Sequence, residues 1–346
     1  MSGDYTTISD PSAHFQTALY TGTGSQQDIT NDGVSDLKPD WLWIKKRNPS
    51  ATHYLFDSTR GVDKYIRSDS NAGEDTSGGG TVDAFLTDGF TVDTASEVNG
   101  NTNTFVAWQW KCNGGTTSTN GDGGVNVTIQ VNSTAGFSIM KWNGNGTTSG
   151  TVGHGLGAVP DMILNKYGLD GTSNWGVAFP KFETSKLLML NGTGGFTSAS
   201  GMSSYNSSTF VDGNGAATGG TIAYCFKQVK GYSRFGFYVG NGNTDGPSIY
   251  TGFKPAFLMI KRSNGAGYWV MLDSKRNLPN GTGQRLGANA TDAEYGATNI
   301  DFLSNGFKVR ASNSDSDTNL DGGSYIYMAF AEHPFVSSKG IPVTAR

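Results

Sequence analysis

The sequence predicts an all-β protein built from three tandem antiparallel β-sandwich repeats. Three observations support this fold class: a composition rich in turn residues and aromatic rings, an internal repeat, and strand patterns separated by glycine and asparagine turns. Glycine supplies 50 of the 346 residues, and charged side chains make up only 16% of the chain. Aromatic residues make up 12%. Because burial of aromatic rings offsets the entropy lost when a chain becomes ordered, we expect packed cores.

The repeat is visible because three segments carry the same signals in the same order. Each opens on an apolar strand followed by a glycine and asparagine turn, and the openings start near Phe15, Phe137 and Phe235. A proline then precedes an apolar run, where a strand can begin without needing the missing N–H, at Pro39, Pro160 and Pro255. The closing strands TFVAWQWK, TIAYCFK and YIYMAFAE align on Ala107, Ala223 and Tyr327. Units of about 100 residues suit complete sandwiches.

One strand of the first unit carries large apolar side chains on both faces. Trp41 and Trp43 share one face, and Leu42 and Ile44 share the other. A strand of this kind is expected to pack against two layers.

The repeats and the composition of the segments between them define the domain boundaries. The stretch between the first two units is rich in Gly, Thr and Asn, which is typical of a flexible linker. We predict an N-terminal arm at 1–14, repeats at 15–112, 131–229 and 230–335, a linker at 113–130 and a C-terminal tail at 336–346.

The first and third repeats share an Asp-Ser-x-Arg element that the second repeat lacks. It contains Asp57 and Arg60 in the first repeat, and Asp273 and Arg276 in the third. Asp and Ser before a turn bond the local backbone. We therefore predict an intra-turn salt bridge that braces each loop, with contact to a neighbouring subunit as the alternative.

Charge and cysteine content argue against several classes of protein. With 25 basic and 29 acidic residues the formal charge is −4, so no basic field attracts nucleic acid. The chain has no long apolar run and no leader pattern at its start, and we expect neither membrane insertion nor secretion.

Cys112 and Cys225 are too few for a disulfide scaffold or a zinc set. The acidic loops match no calcium motif, so no metal or cofactor is expected.

Aromatic and short polar residues near glycine-rich loops are the candidates for ligand binding. Sugars stack on aromatic rings, and their hydroxyl groups need short polar partners. The candidates are Trp175, Tyr268, Trp269, Asn241, Asn243 and Asp245. For each of them a structural role in a core or a turn is the alternative. Glycan binding predicts that Trp175 or Trp269 is exposed in a groove, whereas purely structural service predicts that both are buried against other chains.

Nothing in the sequence nominates a catalytic site. The four histidines lie outside any nucleophile signature, and no spacing singles out a pair of carboxylates. We expect a protein without enzymatic activity, and a polysaccharide-degrading tail enzyme remains an alternative.

Several motifs resemble repeat proteins encoded by marine tailed phages of the cyanophage or pelagiphage kind. They are the openings YTGTG and YVGNGN, the runs GFKPAFLMIKR, FLSNGFKV and GGSYIYMAFAE, the Asp-Ser-x-Arg element, and the ending GIPVTAR. The resemblance covers almost the whole chain and implies a virion structural or tail-fibre protein with lectin-like, jelly-roll sandwiches. It also implies a homotrimer made in the host bacterial cytoplasm, with other virion proteins as partners.

The functions that this resemblance implies differ in what the chain contacts. The leading expectation is attachment to host-surface glycans from a tail or fibre. The alternative is a capsid decoration or tail-connector protein with a purely structural role. Because fold resemblance alone does not determine function, both stay open at this point.

Overall fold

The computed structural model describes residues 6–76, 79–144, 150–198, 201–213, 219–276, 283–298, 300–336, 339 and 341. Within these ranges the chain is all-β, with several antiparallel sheets, as predicted. The helical elements described are one 3-10 turn (Pro11–Ala13) and one short helix, α1 (Ser96–Asn99). No described helix has the length and apolar character needed to span a bilayer.

The first sheet pair is built from residues 15–110. Its strands are β1 (Phe15–Thr21), β2 (Gln27–Ile29), β3 (Trp41–Lys46), β4 (His53–Asp57), β5 (Gly61–Ile66), β6 (Val82–Leu86), β7 (Gly89–Val92) and β8 (Thr104–Trp110). Main sheet 1 has the order β1-β8-β3-β4-β5, and a minor sheet has the order β2-β7-β6. Leu42 and Ile44 of the main sheet pack with Phe90 of the minor sheet in a core between the two.

The second sheet pair is built from residues 118–226. Its strands are β9 (Ser118–Asn120), β10 (Val127–Asn132), β11 (Phe137–Asn143), β12 (Gly150–Gly153), β13 (Met162–Lys166), β14 (Trp175–Phe179), β15 (Glu183–Met189), β16 (Met202–Ser203), β17 (Thr209–Asp212) and β18 (Gly220–Phe226). Main sheet 2 has the order β15-β14-β13-β18-β11-β10-β9, and its minor sheet has the order β12-β17-β16.

The prediction of a flexible linker at 113–130 is wrong, because this segment supplies β9 and part of β10. Val125, Val127 and Ile129 alternate with more exposed residues and are buried in the core of the second sheet pair. Alternate burial of apolar side chains stabilises a strand even where glycine is abundant on either side.

The third sheet pair is built from residues 233–334. Its strands are β19 (Ser233–Val239), β20 (Ser248–Tyr250), β21 (Phe253–Arg262), β22 (Trp269–Asp273), β23 (Gly283–Gly287), β24 (Tyr295–Thr298), β25 (Ile300–Leu303), β26 (Gly306–Val309) and β27 (Ser324–Pro334). Main sheet 3 has the order β19-β27-β21-β22-β23-β24, and its minor sheet has the order β20-β26-β25.

The three main sheets share one strand order, in which the opening strand lies beside the closing strand and the next three strands follow. The pairing registers also correspond, since Ala107, Ala223 and Tyr327 lie opposite Ile44, Asn165 and Ile260. The opening of the third pair differs from the expected alignment. Trp110 and Phe330 hold equivalent positions on the closing strands; Phe15 lies opposite the first and Ser233 opposite the second. Ser233, and not Phe235, is therefore the residue of the third pair that corresponds to Phe15.

The other faces of the main sheets meet in one common core. Trp41 and Trp43 from main sheet 1 lie in it, together with Leu164 from main sheet 2 and Phe257 from main sheet 3. This explains why β3 carries large apolar side chains on both faces. Ile8 of the predicted N-terminal arm is buried in the same core, so the described part of that arm packs on its own chain.

Candidate functional site

Equivalent hydrogen bonds join the main sheets at three seams, each seam being the contact between two main sheets. The strands concerned are β4, β14 and β22, which hold the fourth place in the shared strand order. At each seam the first side chain of one of these strands contacts a backbone carbonyl oxygen of the neighbouring sheet pair. Trp175 Nε1 donates to Arg67 O at 2.8 Å, and Trp269 Nε1 donates to Met189 O at 2.9 Å. His53 Nε2 lies 2.9 Å from Gly287 O. Because His53 Nδ1 accepts from Trp43 Nε1, its proton is on Nε2. The three seams form a closed ring.

Trp175 and Trp269 are therefore seam residues and not exposed aromatic platforms. Their exposed fractions are 0% and 1%. The exposure that glycan binding at these rings predicts is not found, because each ring fills the common core of this chain and each indole N–H finds its acceptor across a seam. A sugar cannot reach either ring in this structure.

A buried lysine accompanies each of these side chains. Lys45, Lys166 and Lys261 donate to carbonyl oxygens of the neighbouring sheet pair, at Thr291 (3.2 Å), Asn71 (3.2 Å) and Thr193 (3.0 Å). Burial lowers the pKa of each of the three ammonium groups to about 8. The lysines hold the seams closed, and they contact backbone and not a ligand.

The Asp-Ser-x-Arg elements form buried ion pairs at two seams. Arg60 Nε donates to Asp57 Oδ2 at 2.5 Å, and Arg276 Nε donates to Asp273 Oδ2 at 2.6 Å, with all four side chains fully buried. This is the geometry of an intra-turn brace. Each carboxylate also accepts a hydrogen bond across a seam, from Tyr224 Oη at 2.8 Å and from Trp108 Nε1 at 3.0 Å, respectively.

The third seam has apolar residues in place of this network. Ala178 pairs with Ile163, so Phe179 occupies the position that Asp57 and Asp273 hold in the other sheets. Met328 occupies the position of Trp108 and Tyr224 on the closing strand. Both Phe179 and Met328 are buried in the common core. At this seam the acceptor position in the second repeat and the donor position in the third are therefore both apolar.

Asn241, Asn243 and Asp245 build their own loop. The side chain oxygen of Asn241 accepts from Asn243 N at 3.0 Å, and that of Asn243 accepts from Asp245 N at 2.9 Å. Asn319 anchors the loop by donating to Asn243 O at 2.8 Å. The Asp245 carboxylate lies 2.7 Å from Lys308 Nζ, and this hydrogen bond lowers its pKa. A turn-forming role accounts for these contacts, and ligand binding at this loop stays a prediction.

Tyr268 lies on the surface beside the third sheet pair. It is 37% exposed, and its backbone N–H donates to Asp317 Oδ1 at 2.8 Å. The structure thus separates Tyr268 from Trp269, its buried neighbour in sequence. The predicted ligand-binding residues do not come together in one pocket.

An open cleft of about 310 Å³ lies instead at one corner of the third sheet pair, beside the connection that leads into it from the second. Its walls come from the connection before β19, the end of β20 and the segment after β27. The lining residues with polar or aromatic side chains are Gln228, Lys230, Ser233, Arg234, Tyr250, Thr251 and Phe335. Lys230 and Arg234 are exposed, and Tyr250 is 63% exposed. The described lining contains two basic side chains and no carboxylate.

No local signal in the sequence pointed to this cleft. Lys230 and Arg234 lie on either side of the tight connection into β19, and Tyr250 lies sixteen positions beyond Arg234. Only the pairing of β19 with β27 and of β20 with β26 places these segments around one space. In the described part of the chain, no group of three or more His, Cys, Asp or Glu side chains is arranged to hold a metal ion.

Fold and cleft together define an all-β protein with a common core and an open cleft lined by basic side chains. Residues 10–334 match the family model described as Domain of unknown function (DUF7483), and the chain belongs to this family. The match spans all three sheet pairs. Comparisons with curated proteins and with solved structures gave no match.

Proposed function

We propose that this chain is a non-enzymatic structural protein of a phage particle, associated with the tail or its fibres, that contributes to attachment to host-surface glycans. We further propose that each sheet pair is one jelly-roll, lectin-like repeat, so that three occur in tandem. The shared strand order of the main sheets supports the repeat count. The phage assignment rests on the motif resemblance described above.

The observation that carries the attachment role is the cleft beside β19. It combines an exposed aromatic ring, exposed cationic groups and hydrogen-bonding side chains in a concave site, the combination that small polar ligands need. Its described lining has no carboxylate, so it lacks the pair of acids that glycoside hydrolysis needs. This supports binding over catalysis at this place.

A specific observation favours the structural alternative, a capsid decoration or tail-connector role. Phe182, Phe237 and Val239 are exposed by 42%, 63% and 54%. The rings of Phe182 and Phe237 lie 5.3 Å apart at the seam between main sheets 2 and 3. Contiguous exposed apolar groups are typical of surfaces that another protein covers.

The homotrimer remains a proposal. The wide apolar faces of the main sheets are covered within one chain, so they do not require neighbouring subunits. Contact between copies would have to use outer surfaces such as the patch of Phe182, Phe237 and Val239. Light scattering at micromolar protein tests it, with three times the chain mass expected for a trimer and a monomer mass contradicting it.

Locating the chain in the intact particle by electron cryomicroscopy tests the proposed function. The attachment role predicts a position at the distal tail or on a fibre, with the cleft open to solvent. A position between capsid or tail subunits, with the cleft covered, contradicts it and supports the structural role.

A further inference from the structure

We propose that the cleft beside β19 binds an acidic sugar residue, carrying a carboxylate or a sulfate, with Arg234 and Lys230 facing the anionic group and Tyr250 facing the sugar ring. This inference rests on the proposed attachment function and names its ligand class. Four properties of the cleft carry it: its charge, its shape, its exposed ring and its difference from the equivalent corners of the other two sheet pairs.

The charge of the cleft is opposite to that of the whole chain. The chain carries a formal charge of −4, yet the described lining carries two basic side chains and no acidic one. Because salt screens charges beyond about 8 to 10 Å, a ligand in the cleft responds to the local groups and not to the net charge. An anionic group is therefore favoured there.

The side chains suit a carboxylate or sulfate group attached to a sugar. A guanidinium group can donate two parallel hydrogen bonds to such an anion. Tyr250 ends β20 with its ring 63% exposed, and such a ring can stack on the apolar face of a sugar. Gln228 adds an amide that can bond hydroxyl groups. A volume of about 310 Å³ lies at the lower end for ligand sites and suits one or two sugar rings.

The equivalent corners of the other sheet pairs show that the fold does not need these residues. Arg234 lies opposite Ala329 on the closing strand of the third sheet pair. The residue at the same position is Gln16, opposite Gln109, in the first pair and Ser138, opposite Cys225, in the second. Tyr250 is the last residue of β20. The residue at the same position is Thr30, which directly follows β2, in the first pair and Gly153, the last residue of β12, in the second. Arg234 and Tyr250 are thus additions specific to the third sheet pair.

In the first sheet pair, moreover, the corresponding corner is closed by Gln16 itself. Gln16 Nε2 donates to Ser12 O at 3.0 Å and to Ser35 O at 2.7 Å. Its Oε1 accepts from Gly33 N at 2.9 Å. In the third sheet pair the residue at this position, Arg234, bonds the side chain of Tyr327 and also lines the open cleft, where its guanidinium group can face a ligand.

The test is calorimetric titration of the full-length chain with trigalacturonate as the acidic probe and maltotriose as the neutral one. We expect trigalacturonate to bind, maltotriose to bind at least 10-fold more weakly, and the acidic affinity to fall as NaCl is raised. The variants use residues that the chain itself has at the equivalent positions, Arg234→Ser and Tyr250→Thr, so both should fold. We expect the affinity for trigalacturonate to fall at least 10-fold in Arg234→Ser and at least 3-fold in Tyr250→Thr.

A matched control removes a positive charge elsewhere. Lys186→Ser takes away an exposed lysine of β15, and its affinity for trigalacturonate should equal that of the unchanged chain. Thermal melts of all variants show whether they are folded. Equal affinity for both probes, or unchanged binding by a folded Arg234→Ser variant, would overturn the inference.

The two proposals fail in different ways. If the chain binds neutral glycans on a glycan array and Arg234→Ser binds them equally well, the acidic-sugar inference is overturned while attachment to glycans stands. If neither acidic nor neutral glycans bind the chain, both are overturned.

Discussion

Asp57 and Asp273 each accept hydrogen bonds from two buried side chains, and this explains why the Asp-Ser-x-Arg element is a structural feature. Within its turn each aspartate pairs with an arginine, and across a seam it accepts from Tyr224 or Trp108. A buried charge is tolerated only when it is paired and hydrogen-bonded. At the seam without the element, the apolar side chains of Phe179 and Met328 fill the same positions, and no aspartate–arginine pair is needed there.

Asp57→Asn should lower the free energy of unfolding by about 3 kcal/mol, because it leaves the buried Arg60 guanidinium with Glu74, at 3.2 Å, as its remaining counter-charge. Tyr224→Phe, which removes only one hydrogen bond to the same carboxylate, should cost about 1 kcal/mol. Urea denaturation measures both. Asp32→Asn is the control, since Asp32 pairs with Lys275 on the surface and its loss should cost less than about 1 kcal/mol. Equal effects of Asp57→Asn and Asp32→Asn would contradict the brace.

Trp175→Phe should destabilise the protein by about 1 to 3 kcal/mol, because it leaves the Arg67 carbonyl oxygen at the seam without its donor. Glycan binding should not change, because Trp175 is buried and does not line the cleft. Thermal melting and titration with trigalacturonate measure the two effects. Loss of binding with unchanged stability would restore Trp175 as a ligand-binding residue.

At the scale of elements, β9 and β10 show how an added hairpin completes main sheet 2. β10 pairs with β11 over Thr128 to Asn132 and with β9 on its other side. Gln130 reaches across the seam and donates to Ser58 Oγ at 2.9 Å. The equivalent opening strands β1 and β19 lie at the edges of their sheets in the described structure.

Hydrogen exchange should therefore protect the backbone amides of β10 as strongly as those of β11. The segment 121–124, which connects β9 to β10 and is largely exposed, serves as the internal control and should exchange quickly. Mass spectrometry of exchanged peptides measures both. Fast exchange throughout 113–130 would mean that the segment is a linker after all.

The elements also show which parts of the fold were predictable from sequence. Period-two alternation is local, so strands and their alignment on Ala107, Ala223 and Tyr327 could be predicted. The glycine content of 113–130 concealed the alternation of Val125, Val127 and Ile129. No local pattern reports what lies across a seam, so the segments that cover Trp175 and Trp269 could not be predicted. The cleft needs three chain segments that only the folded sheets bring together.

At the scale of the whole molecule, three buried lysines and many buried tyrosines set the dependence of stability on pH. The lysines at the seams have pKa values of about 8, below the ordinary 10.5, so the unfolded chain binds more protons than the folded one between these values. Burial lowers the pKa of His53 and raises that of Tyr224 and Cys225. Because of His53, the unfolded chain binds more protons than the folded chain near pH 6. Because of Tyr224 and Cys225, it binds fewer protons than the folded chain above about pH 9 to 10.

The melting temperature should therefore rise from about pH 6 to about pH 9 and fall above about pH 10. Rising pH removes the cost of burying protonated histidines and lysines, whereas higher pH ionises tyrosines and cysteines in the unfolded chain only. Differential scanning fluorimetry across this range measures the profile. In Lys166→Met the rise between about pH 8 and pH 10 should be shallower. A maximum near pH 5 would contradict the sign of these shifts.

The whole molecule is described by its common core and its closed ring of seams. Each main sheet buries one face against its minor sheet and the other against the other two main sheets. If one sheet pair dissociates or unfolds, it exposes the core that all three share. We therefore expect the sheet pairs to unfold together and not as independent domains.

Scanning calorimetry tests this central claim most directly. At about 0.7 kcal/mol per residue, the whole chain should absorb roughly 240 kcal/mol near 60 °C. The account predicts one transition whose van't Hoff enthalpy equals the full calorimetric enthalpy. Separate transitions, or a van't Hoff enthalpy near one third of the calorimetric value, would show that the three sheet pairs are independent domains and would contradict the common core.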